Sequence, residues 1–345
     1  METMKIVIAP DSFKECLASQ EVAVAMAEGV LQACPSADVI RSPLADGGEG
    51  TLDVLAGALQ ATVFQVDVSD PLDRAVKARL AVLNDIAIIE AAQACGLSLL
   101  APEERNPLIA SSKGVGELIV AAYRQGYRHF VVGLGGSATC DGGAGMLSVP
   151  GIKDILNKVS MEILCDVDNP FIGPEGAARV FAPQKGASPQ DVEVLENRMA
   201  ALARQMQEET GINVSSTPGA GAAGGLGGAL IAYAKATLTS GVGKIMDLID
   251  FDAAVRDADL IITGEGRSDL QTLKGKVPMG VLRRCEEKKV ALLSGAIDDA
   301  ARDDLIAAGF WRISAVTPKG MPLQDAMEPS VAKKNIRSSV QLLIT

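Results

Sequence analysis

Lys5-Ile-Val-Ile-Ala-Pro10 runs directly into Asp11-Ser12-Phe13-Lys14, so that an apolar β-type run empties into a charged turn. The arrangement recurs. Val39 to Leu44 precedes Asp46-Gly47-Gly48-Glu49-Gly50, and Phe130 to Leu134 precedes Gly135-Gly136-Ser137-Ala138-Thr139-Cys140-Asp141-Gly142-Gly143. Met161 to Cys165 precedes Asp166-Val167-Asp168-Asn169, and Leu260 to Ile262 precedes Thr263-Gly264-Glu265-Gly266-Arg267-Ser268-Asp269. Val290 to Leu293 precedes Ser294-Gly295. In open α/β sheets, ligands bind just beyond the carboxyl ends of the strands. Carboxylates and glycines placed there so often predict an enzyme or binder of an anionic, metal-associated ligand.

Working outward, both ends of the chain alternate strand and helix. Strands are expected at 5–9, 38–44, 259–262, 290–294 and 312–316. Helices are expected at 19–33 (Ser19 as cap, Glu21 in the first turn), 49–60, 277–287, 299–308 and 323–343. That spacing means right-handed crossovers and a parallel sheet. The middle differs. Strands at 62–68, 76–82 and 86–91, with turns at Ser69-Asp70-Pro71 and Asn84-Asp85, form a meander with local antiparallel or mixed pairing. Helix 113–125, strand 129–134, helix 142–148, strand 161–165, helix 189–210 and a Gly-rich helix at 222–238 follow. The fold class is therefore α/β with two domains. A discontinuous Rossmann/flavodoxin-like parallel-sheet domain takes 1–62 plus 258–345, and a mixed-sheet α/β domain, 63–257, is inserted in it.

Composition narrows the function. The chain has 345 residues and a net charge of −11, with no basic stripe, which argues against a nucleic-acid partner. No apolar run reaches the ~20 residues of a membrane span. The six cysteines include no C-x-x-C pair and read as reduced, mostly buried thiols of a cytoplasmic protein. The only histidine, His129, excludes multi-His zinc sites and reads as a partly buried structural residue.

Several motifs carry chemistry. Gly133-Leu-Gly135-Gly136-Ser137-Ala138 fits G-x-G-x-x-[G/A], but a dinucleotide site needs an acidic residue at the next strand end, and Asp154 is not at one. Ser137, Thr139, Asp141, Gly142 and Gly143 suit phosphate plus a divalent metal, because glycines let backbone N–H groups approach an anion. A tight packing turn is the competing reading. Gly219, Gly221 and Gly224 lie in a second glycine-rich loop that opens an apolar helix, with donors that could face a ligand. No G-x-x-x-x-G-K-[ST] is present, so a Walker P-loop is excluded. Asp11, Lys14, Asp46, Glu49, Glu265 and Asp269 should converge at one sheet end. Carboxylates suit Mg²⁺, or one could act as base toward a hydroxyl. Lys14, Lys185, Arg267 and Lys276 are candidates for charge stabilisation. Asp166, Asp168, Gln184 and Lys185 sit in polar turns after strands.

Long stretches of these motifs resemble type 1 glycerate kinase. They are Pro10-Asp-Ser-Phe-Lys-Glu15, Ala45-Asp-Gly-Gly-Glu-Gly-Thr51, Gly135 to Met146, Cys165-Asp-Val-Asp-Asn-Pro170, Phe181 to Ala187, Pro218 to Gly225, and Thr263 to Asp269 with Gly275-Lys-Val-Pro278. The resemblance covers nearly the whole chain. It implies ATP-dependent phosphorylation of D-glycerate, 2-phosphoglycerate being the favoured product, and a site in a cleft between two α/β domains. One departure is the connection from Val149 to Lys158, which is briefer than the family's. With ATP and Mg²⁺ as cofactors, Asp11, Lys14, Asp46 and Asp269 are the expected catalytic groups. Ser12, Arg267, Lys276, Gln184 and Lys185 would bind substrate. The glycines at 135, 136, 142, 143, 219, 221 and 224, with Ser137 and Thr139, would bind nucleotide phosphates. Glu49, Asp141, Asp166, Asp168 and Glu265 would hold metal. A homodimer is left open. The competing functions are a nicotinamide-dependent oxidoreductase on a small hydroxy acid and a non-catalytic binding protein.

Overall fold

A computed structural model of the chain describes residues 3–344. Its strands, in chain order, are β1 Lys5–Pro10, β2 Asp38–Arg41, β3 Thr62–Ser69, β4 Ala75–Leu83, β5 Ile86–Glu90, β6 His129–Gly133, β7 Ser160–Leu164, β8 Thr237–Thr239, β9 Leu260–Ser268, β10 Val290–Ile297 and β11 Arg312–Ala315. Two compact units result. The first takes the chain up to Asp46, Asp53–Ala58 and everything from Val242 onward. The second takes Gly47–Leu52 and Leu59–Gly241. The expected return at 258 falls later than Val242, because helices Gly241–Leu248 and Phe251–Val255 group with the first unit. There Gly280 leaves room for the Val242 side chain.

The first unit holds a five-stranded sheet of order β11-β10-β9-β1-β2, parallel throughout. Numbered within the unit this is 2-1-3-4-5, the flavodoxin-like order, whose switch point lies between β1 and β9. Ile6, Val7, Ile8 and Ala9 are fully buried, as expected of a strand covered on both faces. Ile6 and Ile8 pack with Val22, Met26 and Val30 of helix Ser19–Ala33 and with Ile336 and Val340 of helix Pro329–Ile344. A Cβ at Gly29 would lie 2.7 Å from the Arg337 carbonyl, so glycine sets how closely these two helices approach.

Four local expectations for this unit need correction. Ala18, not Ser19, is the N-cap, and the Glu21 carboxylate accepts the Ala18 N–H at 3.2 Å. The expected helix 323–343 is two helices, Leu323–Ala326 and Pro329–Ile344, because Pro329 supplies no N–H to continue the first. The expected strand 38–44 is Asp38–Arg41, although Ser42 and Leu44 still donate to Ile8 and Pro10. The largest difference is in β9, which continues through Thr263-Gly264-Glu265-Gly266-Arg267 to Ser268 instead of ending at Ile262. It stays paired with β10 as far as Ile297. The glycines that read as a turn permit this pairing: a Cβ on Gly264 would strike the Leu293 carbonyl, and one on Gly295 the Gly266 carbonyl.

The second unit holds a six-stranded mixed sheet of order β3-β4-β5-β6-β7-β8. β3, β4 and β5 form the expected antiparallel meander, and β5 through β8 are parallel. Phe130 and Val132 on β6 sit in a core with Leu118, Met146, Phe171 and Leu226. Gly228 is the seat of the Phe171 ring on helix Leu226–Ala234. That helix is shorter than the expected 222–238, since a 3₁₀ turn over Ala222–Gly225 precedes it and β8 follows. The expected helix 142–148 is Ala144–Leu147, followed by Ile152–Leu156. His129 is not partly buried: it opens β6 with its ring 56% exposed, 3.5 Å from the Asp85 carboxylate. All six cysteines are free, three of them buried.

Candidate active site

The carboxyl ends of β1, β9 and β10 enclose a cavity of about 440 Å³ in the first unit. Asp11, Ser12, Lys14, Asp46, Glu265, Arg267, Asp269 and Lys276 all line it. Eight of the expected site residues therefore meet in one place, at the switch point where the topology leaves a crevice. Backbone pairing puts them there. The Asp11 N–H donates to the Gly264 carbonyl at 2.8 Å, and the Leu44 N–H donates to Pro10 at 2.9 Å, which carries the chain toward Asp46.

Asp11 is 7% exposed, and its Oδ1 accepts the Ser12 N–H at 2.7 Å. Burial, reinforced by the neighbouring charge of Asp46, pushes its carboxyl up to about 8. A carboxylate tuned in this way is suited to take a proton near neutral pH.

Glu265 is the second buried acid, and burial raises its pKa as well. Its Oε1 accepts from Ser268 Oγ at 2.8 Å and Thr272 Oγ1 at 2.6 Å. Ser268 has one hydroxyl hydrogen and gives it to Glu265, so Ser294 must donate the 2.6 Å bond between the two serines. The Ser268 and Thr272 hydroxyls thus both point at the Glu265 carboxylate. Thr272 also accepts the Asp269 N–H at 3.0 Å, tying Asp269 to Glu265. The pair clamps Lys276, whose Nζ lies 3.4 Å from Glu265 Oε2 and 3.6 Å from Asp269 Oδ1. Arg267 lies 3.5 Å from Asp298 and is 69% exposed. The sequence reading missed Ser268, Thr272 and Asp298. The one available signal was Asp269-x-x-Thr272, a turn pattern beside a strand-end carboxylate.

Removing the Thr272 hydroxyl should push the Glu265 pKa further up. Thr272→Val is therefore expected to move the titration of the Glu265 carboxyl, followed by NMR, to higher pH, while Thr272→Ser keeps it near wild type. Superimposable titration curves for the valine variant and wild type would count against this role.

The remaining expected residues lie in the second unit. Asp141 accepts from Ser112 N–H and Oγ, Gly143 N–H and Gly145 N–H, all within 3.0 Å, and so fixes a helix start. Asp166 accepts from Ser240 Oγ and the Gly241 N–H. Glu49, Asp168 and Gln184 are exposed. Lys185 is 3% exposed and donates to Ser137 Oγ at 2.9 Å and to the Thr139 carbonyl at 2.7 Å, with burial lowering its pKa. Among the described residues, no three His, Cys, Asp or Glu side chains form a group that could hold a metal ion. Glu90 went unnoticed in the sequence. Buried at the end of β5, it accepts the N–H groups of Gly50 and Leu52.

The glycine loops also differ from expectation, because much of their donor capacity is used inside the protein. Gly135 donates to Gly47, Gly142 to Gly224, Gly143 to Asp141 and Gly221 to Asn169. Gly136 and Gly219 have positive φ, at +76° each, and serve turns. Added Cβ atoms would strike Gly48 from Gly135, Pro170 from Gly221 and Thr139 from Gly224. The packing-turn reading accounts for these contacts. Gly224, at φ +64°, gives the sharpest test. Gly224→Ala should cost ~1–3 kcal/mol or more in unfolding free energy, with no selective loss of nucleotide affinity. Unchanged stability with weakened nucleotide binding would restore the phosphate-binding reading. The nicotinamide alternative finds no support: Asp154 lies within helix Ile152–Leu156, and only a four-residue helix follows the 133–138 motif.

A model of the glycerate kinase family matches residues 6–154 and 148–344. The chain belongs to the glycerate kinase family. The two matches meet at the brief connection noted above. The chain is 38% identical to the glycerate kinase of Bacillus subtilis, over 99% of each chain. It is 39% identical to the glycerate 2-kinase of Escherichia coli, over 86% of each. A Salmonella typhimurium LT2 crystal structure, assigned as glycerate kinase 2, superposes with a TM-score of 0.82 at 37% identity, covering 99% of this chain and 97% of that one. Among the described residues, no helix is long and apolar enough to cross a membrane.

Proposed function

We propose that the chain transfers the γ-phosphoryl group of ATP to a hydroxyl of D-glycerate, giving 2-phosphoglycerate and ADP, in the cavity of the first unit. The observation that carries this reading is Asp11: a buried carboxyl with a raised pKa, among cations, at a flavodoxin-type switch point of a glycerate kinase family member. The Asp11 oxygen not held by Ser12 takes the proton as the glycerate oxygen bonds to phosphorus and the bond to the ADP oxygen breaks. Lys14, Lys276 and Arg267 offset charge on the phosphoryl group and the glycerate carboxylate. Catalysis of this kind is mainly positioning and charge neutralisation.

The cavity wall carries five carboxylates, at Asp11, Asp46, Glu265, Asp269 and Asp298, against three cations. An anionic acid and a triphosphate could not be neutralised by that wall alone. Mg²⁺ fits the donor set, since it keeps several waters and binds through one or two carboxylates plus phosphate oxygens. Asp46 and Asp269 are the residues that would hold it, and the ion would supply charge neutralisation at the phosphates. A homodimer and a cytoplasmic location agree with this reading without being needed for it.

Release of ADP with D-glycerate as acceptor tests the proposal. Turnover should require D-glycerate and should fall steeply in Asp46→Asn and in Lys14→Ala. Wild-type rates in both variants would sink the site assignment, and acceptor-independent ADP release would sink the reaction.

A further inference from the structure

The cavity lining is chemically mixed: beside the charged groups described above it carries Phe13, Cys16, Ile297, Leu323, Ala326 and Met327. A three-carbon hydroxy acid has no surface that needs such a wall. It would also fill only a fraction of about 440 Å³, a volume in the range of ~300–1,000 Å³ that suits larger small-molecule ligands.

Most of this apolar lining is tied together by the protein's own bonds. Phe13 and Leu17 exchange N–H···O bonds of 2.9 Å, closing a tight turn directly after Asp11 and Ser12. Cys16 Sγ donates to the Met327 carbonyl at 3.1 Å and ties that turn to the segment carrying Leu323 and Ala326. Phe13 is 5% exposed, whereas Leu323 stands at the rim 71% exposed. A large apolar side chain left bare at the mouth of a polar pocket is what a flat apolar ligand group would cover.

We propose that this apolar part of the lining is the nucleobase subsite, taking the purine ring of the phosphoryl donor so that its phosphates extend toward Lys14, Lys276 and the acid acceptor. The assignment rests on the kinase reading above. It moves nucleotide recognition away from the glycine loops of the second unit, much of whose donor capacity is used within the protein.

The test separates the two substrates. Leu323→Ser removes the apolar contact without adding charge, and Leu323→Met retains it; the side chain is exposed, so neither change threatens folding. In the serine variant, the KM for ATP should rise about five- to tenfold, the KM for D-glycerate should stay within about twofold, and the methionine variant should match wild type. Adenosine, which has a base and no phosphates, should compete with ATP and not with glycerate. An unchanged ATP KM overturns the subsite, as does a rise confined to glycerate. Calorimetric titration of ADP into wild type and the serine variant reads the same contact without turnover. A wild type that binds ADP but phosphorylates no glycerate therefore refutes the kinase reading while still deciding this one.

Discussion

Asp11→Asn should lower kcat for glycerate phosphorylation by about 10²–10⁴ and at the same time make the protein more stable. Asparagine keeps the shape of the side chain and an oxygen to accept the Ser12 N–H, so substrate affinities should change little. It cannot take the hydroxyl proton. The stability gain follows from the same burial that tunes the base. Asp11 has its pKa raised from 3.8 to about 8 in the folded chain, so the native state binds this proton more tightly than the unfolded state does. The wild-type contribution is complete below about pH 4 and is lost as pH rises toward 8. The Tm difference between Asp11→Asn and wild type should therefore widen over that window. Activity should run the other way, rising with pH as Asp11 ionises. Thermal melts at several pH values, set beside a kcat profile, check both. A variant that is inactive but no more stable at pH 8 than at pH 5 would show that Asp11 is not a strained buried acid.

Lys276→Ala is expected to reduce kcat by roughly 10²–10³, the scale for losing one preorganised electrostatic group. Lys276 is the charge that most opposes the upward push of burial on Glu265. Without it the Glu265 pKa rises further, and the 3.4 Å and 3.6 Å contacts with Glu265 and Asp269 are lost. A buried acid whose folded pKa is raised loses stability as pH climbs through that value. The Tm deficit of the alanine variant should accordingly grow from acid to neutral pH. Lys276→Arg should rescue stability better than turnover, because a planar guanidinium restores the charge but not the point geometry of an ammonium. Equal recovery of both would mean that Lys276 serves only to balance charge.

The parts of the fold readable from sequence were those in which one physical pattern dominates. The run at Ile6–Ala9 is apolar on both faces because helices cover both, and the meander from β3 to β5 shows its turns openly. Other features depend on partners remote in sequence. Gly264 and Gly266 have the composition of a turn, yet they sit in β9, where the β10 backbone leaves no room for a Cβ on Gly264 and the Gly266 carbonyl leaves none for a Cβ on Gly295. Ser19 looked like a cap because residue type suggests one, but Glu21 reaches Ala18 instead.

The site divides along the same line. The gathering of Asp11, Lys14, Asp46, Glu265, Arg267, Asp269 and Lys276 in one cavity was legible, since strand ends of one parallel sheet must meet at one edge. Thr272 and Ser294 were not, because their roles consist of hydrogen bonds to Glu265 and Ser268 that composition does not encode. Asp141 and the glycines at 135, 142, 143, 221 and 224 read two ways in the sequence for a related reason. A short acid-and-glycine turn can present donors to an anion or close on its own backbone, and the contacts with Ser112, Gly48, Pro170 and Thr139 favour the second.

The central claim, that the cavity at Asp11 is where phosphoryl transfer occurs, is tested most directly by product formation in an enolase-coupled assay run without phosphoglycerate mutase. Wild type supplied with MgATP and D-glycerate should yield phosphoenolpyruvate, and Asp11→Asn should yield almost none while binding ADP with wild-type affinity. Phosphoenolpyruvate from Asp11→Asn at the wild-type rate, or none from wild type, would contradict the account.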